Sequence, residues 1–234
     1  MLSIINFASI WCFEVFRARP PKQQRKAELM EDYAYILDYF PSGNPIDPHE
    51  EHRSRPLAQA IGDMYFMLLE LAPKKGASLS PGERVYIGKG LRDKIAFIYC
   101  RISYDELSSF AKDLLPQIVE KIVREREAVF VEFFNIAQPI TIKLHALELI
   151  PTIGKKHLKI ILEERKKKPF ESYKDLTERA KISNPVKLLT ERILMELRGE
   201  EKYYLFVKPT NLIKNVYLGY LPRMYAIASS KRRT

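Results

Sequence analysis

A proline, a glycine and three lysines lie close together in the second half of the chain, at Pro151, Gly154, Lys155, Lys156 and Lys159. Proline disfavours helical backbone in the residue before it, so a helix is expected to stop at Pro151. Glycine permits a tight turn, and a helix that starts there has backbone N–H groups without intrahelical acceptors. A phosphate oxygen can accept from such N–H groups while lysines supply counter-charge. The pattern therefore predicts a turn that contacts a nucleic-acid backbone and is nearly blind to base sequence.

The residues on either side of this turn have the spacing of two packed helices. The first apolar face would consist of Leu144, Leu147 and Ile150, and the second of Leu158, Ile161 and Leu162. The segment resembles a helix-hairpin-helix motif, in which Ile153 would point inward. That motif commonly has glycine where Thr152 stands, and a β-branched residue resists a positive φ, so we expect an altered hairpin. An αα-hairpin that only packs two helices together is the alternative. The candidate nucleic-acid-binding residues of this segment are Thr152, Ile153, Gly154, Lys155, Lys156 and Lys159.

A weaker version of the same pattern follows downstream. The run 166–176 is similar to the linker that joins paired helix-hairpin-helix motifs, with Phe170, Tyr173 and Leu176 as apolar anchors. The run 180–189 resembles a second hairpin that lacks the glycine. We therefore expect it to be a structural pseudo-repeat rather than a second phosphate site.

The part of the chain before these motifs has the alternating pattern of β-strands. The expected strands are Tyr33–Phe40, Met64–Leu71, Glu83–Gly88, Ile95–Ile102 and Ala128–Asn135, with helical spacing between Tyr104 and Arg126, capped at Ser103 or Asp105 and kinked or divided at Pro116. Five strands and one helix predict a small OB-like β-barrel, an architecture that often binds single-stranded nucleic acid. Tyr33 and Tyr35 could stack on bases or pack inside the barrel, and Lys89 with Arg92 could extend a basic surface.

These elements predict an α+β fold class in four parts. The parts are a peripheral N-terminal extension at 1–29, an OB-like β-barrel at 30–138, a tandem helix-hairpin-helix domain at 139–200, and a closing strand with a flexible basic tail at 201–234. The main boundary is expected at 136–142, because the β pattern ends there. The apolar run 2–16 is too short to span a bilayer. We expect the extension to be peripheral or the result of a start codon assigned too early, with an amphipathic membrane anchor as the alternative.

The overall charge favours a large anionic partner. Lys and Arg number 39 and Asp and Glu 29, which gives a net charge of +10. Nucleic acid fits this charge, as does an acidic membrane surface. The two cysteines, Cys12 and Cys100, form no CxxC pair, so the sequence indicates neither a disulfide framework nor a zinc site. A reducing, cytoplasmic compartment is expected.

Few residues suggest catalysis or metal binding. The run 49–52 holds two histidines and two glutamates, but it lacks the i, i+4 helical spacing of a zinc protease and lies in a proline-rich segment, so we expect a solvated loop. The run 88–90 lacks the remaining positions of a phosphate loop and predicts a simple turn. Because the sequence contains no recognisable nucleophile and base, we expect neither an enzyme nor a cofactor.

The run from about Glu31 to Lys208 resembles an uncharacterised archaeal family, domain of unknown function 655. The residues that carry the resemblance are 31–35, 88–90, 151–154, 165–170 and 202–209. The resemblance implies OB-like and helix-hairpin-helix parts, RNA as the ligand, and a context in translation or ribosome assembly. It implies no reaction. A DNA-binding accessory of repair or replication and a protein-interaction scaffold stay open as alternatives.

Overall fold

The computed structural model describes residues 29–45, 50–209 and 213–231. Their contacts group into two compact units, the first built from 29–62 and 68–102 and the second from 63–67 and 103–231. Residues 1–28 of the expected N-terminal extension, with Cys12, lie outside the described residues, as do Arg232 and Arg233 of the basic end.

The first unit contains a five-stranded antiparallel sheet. Its strands are β1 (Tyr33–Phe40), β2 (Leu57–Gly62), β3 (Leu68–Pro73), β4 (Arg84–Tyr86) and β5 (Ile95–Arg101). They lie in the order β4-β1-β2-β3-β5. Register shifts interrupt the β1–β2 pair between Ile36 and Asp38 and the β3–β5 pair at two places. Such bulges bend a strand and increase its twist, so the sheet curls into a half-barrel.

Three of the five predicted strands, which correspond to β1, β4 and β5, are confirmed. The predicted strand Met64–Leu71 is wrong at its first half, because residues 63–67 form the turn between β2 and β3. Strand β2 was missed, since its sequence Leu-Ala-Gln-Ala-Ile-Gly has weak β-propensity and no alternation. Every residue of β2 is buried, which explains the missing alternation.

The second unit contains six α-helices within the described residues. They are α1 (Ser109–Glu125), α2 (Glu127–Ile136), α3 (Lys155–Lys167), α4 (Tyr173–Ala180), α5 (Pro185–Arg198) and α6 (Tyr220–Lys231). Helix α1 packs on α5, and α2 packs on α6. None of the helices in the described part of the chain has an apolar stretch long enough to cross a membrane.

Helix α2 corrects the predicted fifth strand. The run 129–134 is buried throughout, and its apolar residues surround the helix instead of forming one face. A helix that is buried all round gives no helical period, and its valines and phenylalanines favour a strand prediction. Because this segment is helical, the β-rich unit ends at Ile102, whereas the sequence placed the main boundary at 136–142.

Helix α1 also differs from its prediction. It begins one residue after Ser108, whose side chain accepts a hydrogen bond from the Ala111 N–H, so neither Ser103 nor Asp105 is the cap. Pro116 lies inside the helix, which continues as one segment through Glu125. The helix therefore continues although Pro116 has no N–H with which to donate a backbone hydrogen bond.

The turn around Pro151 has a shorter first arm than predicted. Residues Ala146–Leu149 form a single 3-10 turn in place of an α-helix. Thr152 follows with a φ of 66°, Ile153 is buried, and Gly154 caps α3 with a φ of −93°. The left-handed position is therefore Thr152, and Gly154 adopts backbone that any residue can adopt.

A similar turn connects α4 to α5. Lys181 has a φ of 59°, and the next residue, Ile182, is buried. The side chain of Asn184 then accepts a hydrogen bond from the Lys187 N–H, and Pro185 begins α5 without an N–H of its own. This second turn therefore has fewer free backbone donors than the first.

A buried carboxylate on α5 holds the segment after that helix. The Glu196 side chain is fully buried and accepts hydrogen bonds from the N–H groups of Leu205, Phe206 and Val207 at 2.7, 2.9 and 2.8 Å. Burial raises the pKa of Glu196, and the Arg192 guanidinium and the three N–H donors oppose that rise. The carboxylate thus supplies acceptors for three donors that the fold removes from water.

Arg192 pairs with Glu196 and connects α5 to the Pro151 turn. Its Nε lies 2.9 Å from a Glu196 oxygen. The same guanidinium donates to the Leu149 carbonyl at 3.2 Å, contacts Glu201 at 2.9 Å and donates to the Tyr203 carbonyl. Arg192 is only 2% exposed, so these partners replace its water.

The described part of the C-terminal segment, 201–209 and 213–231, contains two short strands and a helix. The run 203–207, expected to be a last strand or a segment packed on the body, forms a strand only at β6 (Tyr203–Tyr204), which pairs in parallel with β7 (Val216–Tyr217), and its remaining residues are buried. The expected flexible tail is wrong for Tyr220–Lys231, because α6 buries Tyr220, Leu221, Met224 and Ala228 on one face. Its last residue forms an ion pair with Glu132 of α2.

Replacing Glu196 with alanine is expected to lower the free energy of unfolding by about 3–5 kcal/mol, because it removes one of two carboxylates from the buried Arg192 and leaves three buried N–H groups without an acceptor. Urea unfolding at neutral pH measures this. Glu178→Ala, which removes an exposed i, i+4 pair with Lys174, is the control and is expected to cost less than about 1 kcal/mol. Equal losses in the two variants would show that the buried pair stabilises no more than a surface one.

Thr152→Gly is expected to stabilise the protein by roughly 0.5–1 kcal/mol, because relief of a left-handed β-branched residue outweighs the added freedom of the unfolded glycine. The same substitution at Thr177, inside α4, serves as the control and should destabilise by about 1 kcal/mol. Thermal unfolding compares the two. A loss of stability at both positions would contradict strain at Thr152.

Candidate nucleic-acid interface

The first turn of α3 presents backbone donors to the surface. The helix starts at Lys155 with no side-chain cap, and no acceptor among the described residues bonds the N–H groups of Lys155, Lys156 or His157. The N–H of Ile153 donates to the Ile150 carbonyl at 3.2 Å, and that of Gly154 to the Thr152 carbonyl at 3.1 Å. The unpartnered donors therefore begin at Lys155, one residue later than the sequence indicated.

Gly154 has no packing role in the fold. A Cβ built on it meets nothing within 4 Å, and its φ is negative. The expectation that the tight turn depends on glycine at 154 is therefore wrong, because the turn places its positive φ at Thr152. The missing side chain instead leaves the surface next to the free N–H groups uncovered.

Lys155 is not a free counter-charge. Its ammonium group lies 2.8 Å from one carboxylate oxygen of Glu148 and donates to the Lys143 carbonyl at 2.8 Å. Burial by itself would raise the pKa of Glu148, but hydrogen bonds from Lys155 and from the His145 N–H lower it below its usual value. Glu148 is therefore ionised at neutral pH and neutralises Lys155.

Lys156 and Lys159 supply the available positive charge at this helix end. Both side chains are exposed. Lys159 lies 3.9 Å from Glu163, a loose contact between exposed groups, and no ion pair of Lys156 occurs within the described ranges. The structure thus brings three free N–H groups and two exposed ammonium groups to the start of α3.

An open groove of about 680 Å³ lies beside this turn. One wall is the turn itself, from Glu148 to Gly154, and the other is the α5 face that carries Glu191, Leu194, Met195 and Arg198. From the sequence, Leu194 was expected to face the first turn, since it lies on the apolar face of its helix. Glu191, Met195 and Arg198 gave no local signal, because they reach the turn only through tertiary packing.

The candidate residues of the first unit form a separate group. Tyr33 is 36% exposed, lies beneath the Arg84 guanidinium at 3.7 Å from the ring centroid, and meets Tyr86 edge to face. Tyr35 is only 4% exposed and belongs to the core, so it offers no surface for stacking. The difference arises because Tyr35 pairs with Ile61 of β2, whereas Tyr33 lies at the strand end beyond that partner.

The run 88–90 forms a bend around Tyr86. The Gly90 N–H donates to the tyrosine hydroxyl at 3.0 Å, and a Cβ on Gly88 would lie 2.6 Å from the same oxygen. Lys89 is exposed at the tip of this bend. Arg92 donates from Nε to the Gly88 carbonyl at 2.9 Å, so it holds the bend in place and is only half exposed.

His52 is not part of a solvated loop as the sequence suggested. It is 5% exposed, and its Nδ1 lies 2.9 Å from a carboxylate oxygen of Glu70, which is 2% exposed. His49 lies outside the described residues. Across the ranges that the structure describes, no three His, Cys, Asp or Glu side chains are grouped so as to hold a metal ion.

Comparison with known proteins places most of the chain in one family. The family model for proteins of unknown function DUF655 matches residues 30–208. The uncharacterized protein MJ0038 of Methanocaldococcus jannaschii is 46% identical over 194 residues, which is 82% of this chain and 86% of the relative. The crystal structure of Af1531 from Archaeoglobus fulgidus superimposes with a TM-score of 0.67 at 46% identity, covering 76% of this chain and 100% of that chain. The chain therefore belongs to the DUF655 family, whose function is unknown.

Proposed function

We propose that this protein is a non-catalytic RNA-binding protein that grips the phosphate backbone at the start of α3. One observation carries the proposal: unpartnered N–H groups, an uncovered Gly154 and the exposed lysines Lys156 and Lys159 coincide at one point. Each of these features occurs alone in many proteins. Their coincidence has no role in packing, since Gly154 has room for a side chain.

The physical basis is the affinity of a helix start for anions. Free N–H groups and the positive end of the helix dipole both attract a phosphate oxygen. Lys156, for which no ion pair occurs among the described residues, adds long-range attraction, and the exposed Lys159 adds to it although it lies 3.9 Å from Glu163. The net charge of +10 increases the rate at which a polyanion arrives.

The finer fold assignment belongs to this proposal. We interpret the curled sheet as OB-like and the turns at Thr152 and Lys181 as tandem helix-hairpin-helix elements. The exposed Tyr33, with Arg84 stacked on it and Lys89 nearby in sequence, fits contacts with an unpaired base and its phosphate. A role in translation or ribosome assembly is the context that we favour.

DNA is the second candidate, because two related turns in one helical unit suit the two backbones of a duplex. The turn at Lys181 has few free donors, since Asn184 caps α5 and Pro185 has no N–H. That asymmetry favours a single strand over a symmetric grip on a duplex.

The double variant Lys156→Glu with Lys159→Glu is expected to weaken RNA binding about tenfold or more and to reduce the salt dependence by roughly 1–2 units of slope. Fluorescence anisotropy over a series of salt concentrations measures both. Lys166→Glu with Lys174→Glu, on exposed lysines away from the start of α3, changes the net charge equally and is the matched control. A similar loss of RNA affinity in both double variants would show that net charge accounts for binding and that the start of α3 has no specific role.

The wild-type protein is expected to bind mixed-sequence RNA more tightly than DNA of the same sequence near physiological salt, since the 2′-hydroxyl offers additional hydrogen bonds. Direct competition between labelled RNA and unlabelled DNA measures the preference. Tighter binding of duplex DNA would favour the repair or replication alternative. Absence of salt-dependent binding to either polymer would favour an interaction scaffold.

A further inference from the structure

The groove beside the Pro151 turn has the size and lining of a binding site. Its volume of about 680 Å³ lies within the ~300–1,000 Å³ range of sites for small organic groups. Ile150, Ile153 and Leu194 lie beneath the groove and are almost fully buried, so its accessible apolar surface comes mainly from the half-buried Met195, a flexible thioether. A thioether makes favourable contacts with aromatic rings, so this lining suits a planar group.

The charges at the rim of the groove favour an anionic ligand. Glu148 is neutralised by Lys155, and the Glu191 carboxylate lies 3.8 Å from Lys187. Arg198 is exposed, and no carboxylate of the described chain pairs with it. The Arg198 guanidinium at the rim is therefore available to a ligand, whereas the Glu148 and Glu191 carboxylates both have partners.

Arg198 also extends the positive surface away from the groove. Its guanidinium lies 5.9 Å from the ring centroid of Tyr104, and the Lys112 ammonium lies 5.4 Å from the same ring. An aromatic ring flanked by two cations is a combination that accommodates a base and its neighbouring phosphates. The free N–H groups of α3, the groove and Tyr104 all belong to the second unit.

We propose that this groove binds the base and ribose of one unpaired nucleotide, whose phosphates are held by the start of α3 and by Arg198. This inference rests on the proposed function and narrows its ligand to a single strand. A base in a duplex is stacked and paired, so it can enter the groove only after it is extruded at a cost of unstacking. The site therefore favours single-stranded RNA over duplex RNA. Contacts to the phosphate backbone alone do not provide this preference.

Two variants test the groove without changing the N–H groups or the lysines at the start of α3. Met195→Trp fills the space, and Arg198→Ala removes the exposed cation. Each is expected to weaken binding of a single-stranded RNA roughly tenfold and to change binding of the matched duplex less than about twofold. Anisotropy with both RNAs measures this, and Met195→Leu, which keeps the volume, is the control.

A spectroscopic readout reports entry into the groove directly. A single-stranded RNA with one 2-aminopurine is expected to change its fluorescence on binding to the wild-type protein and less so with Met195→Trp. Circular dichroism and thermal unfolding check that each variant is folded. If Met195→Trp fails to fold, Arg198→Ala still decides, because that side chain is exposed.

The outcomes separate this inference from the proposed function. If the groove variants bind both RNAs like the wild type, or lose both equally, the groove does not hold a nucleotide. The backbone contact survives that result if Lys156→Glu with Lys159→Glu still weakens binding. If the wild-type protein binds neither RNA, both proposals are wrong.

Discussion

The buried ion pair between Arg192 and Glu196 is the interaction on which the helical unit depends. Two charges removed from water cost several kcal/mol each unless other groups replace their hydration. Here Glu196 accepts three backbone N–H groups and Arg192 donates to two carbonyls and a second carboxylate. The pair also fixes the candidate site, because the Leu149 carbonyl that it holds lies just before the Pro151 turn. The wall of the groove on α5 is thereby set against the turn.

The parts of the fold that sequence could predict are those in which a local pattern agrees with the final environment. Strand β1 alternates and ends at a proline and glycine, and the turn at 151–154 has a proline and a glycine at fixed spacing. Strand β2 and helix α2 were not predicted, because their local sequence patterns do not reflect their final environments. Both are buried on all sides, and a segment without a solvent face has no period to detect. The five-stranded sheet was predicted, but the wrong segment was assigned as its fifth strand.

The candidate site was predictable only in its local part. The positive φ at Thr152 could be anticipated, because glycine commonly stands there in related hairpins. The neutralisation of Lys155 could not, since it depends on how the 3-10 turn directs Glu148 toward the start of α3. No local sequence pattern indicated that Arg198 belongs to the site. It joins the site because α5 packs on the turn, and the contact between Arg192 and Leu149 that secures this packing links residues far apart in sequence.

The two related turns show how one fold can leave backbone donors free at one turn and satisfy or remove them at another. Thr152 and Lys181 both take a left-handed backbone although neither is glycine, and a buried isoleucine follows each. Packing of Ile153 and Ile182 therefore imposes the turn, because a strained conformation persists only where its surroundings determine it. The two turns differ in the residues that follow. At the second turn the Asn184 side chain accepts from a backbone N–H and Pro185 has no N–H, whereas the first N–H groups of α3 have no acceptor within the described chain. A turn fixed by packing holds those donors in place already, so the proposed contact with a phosphate would need little further ordering of the backbone.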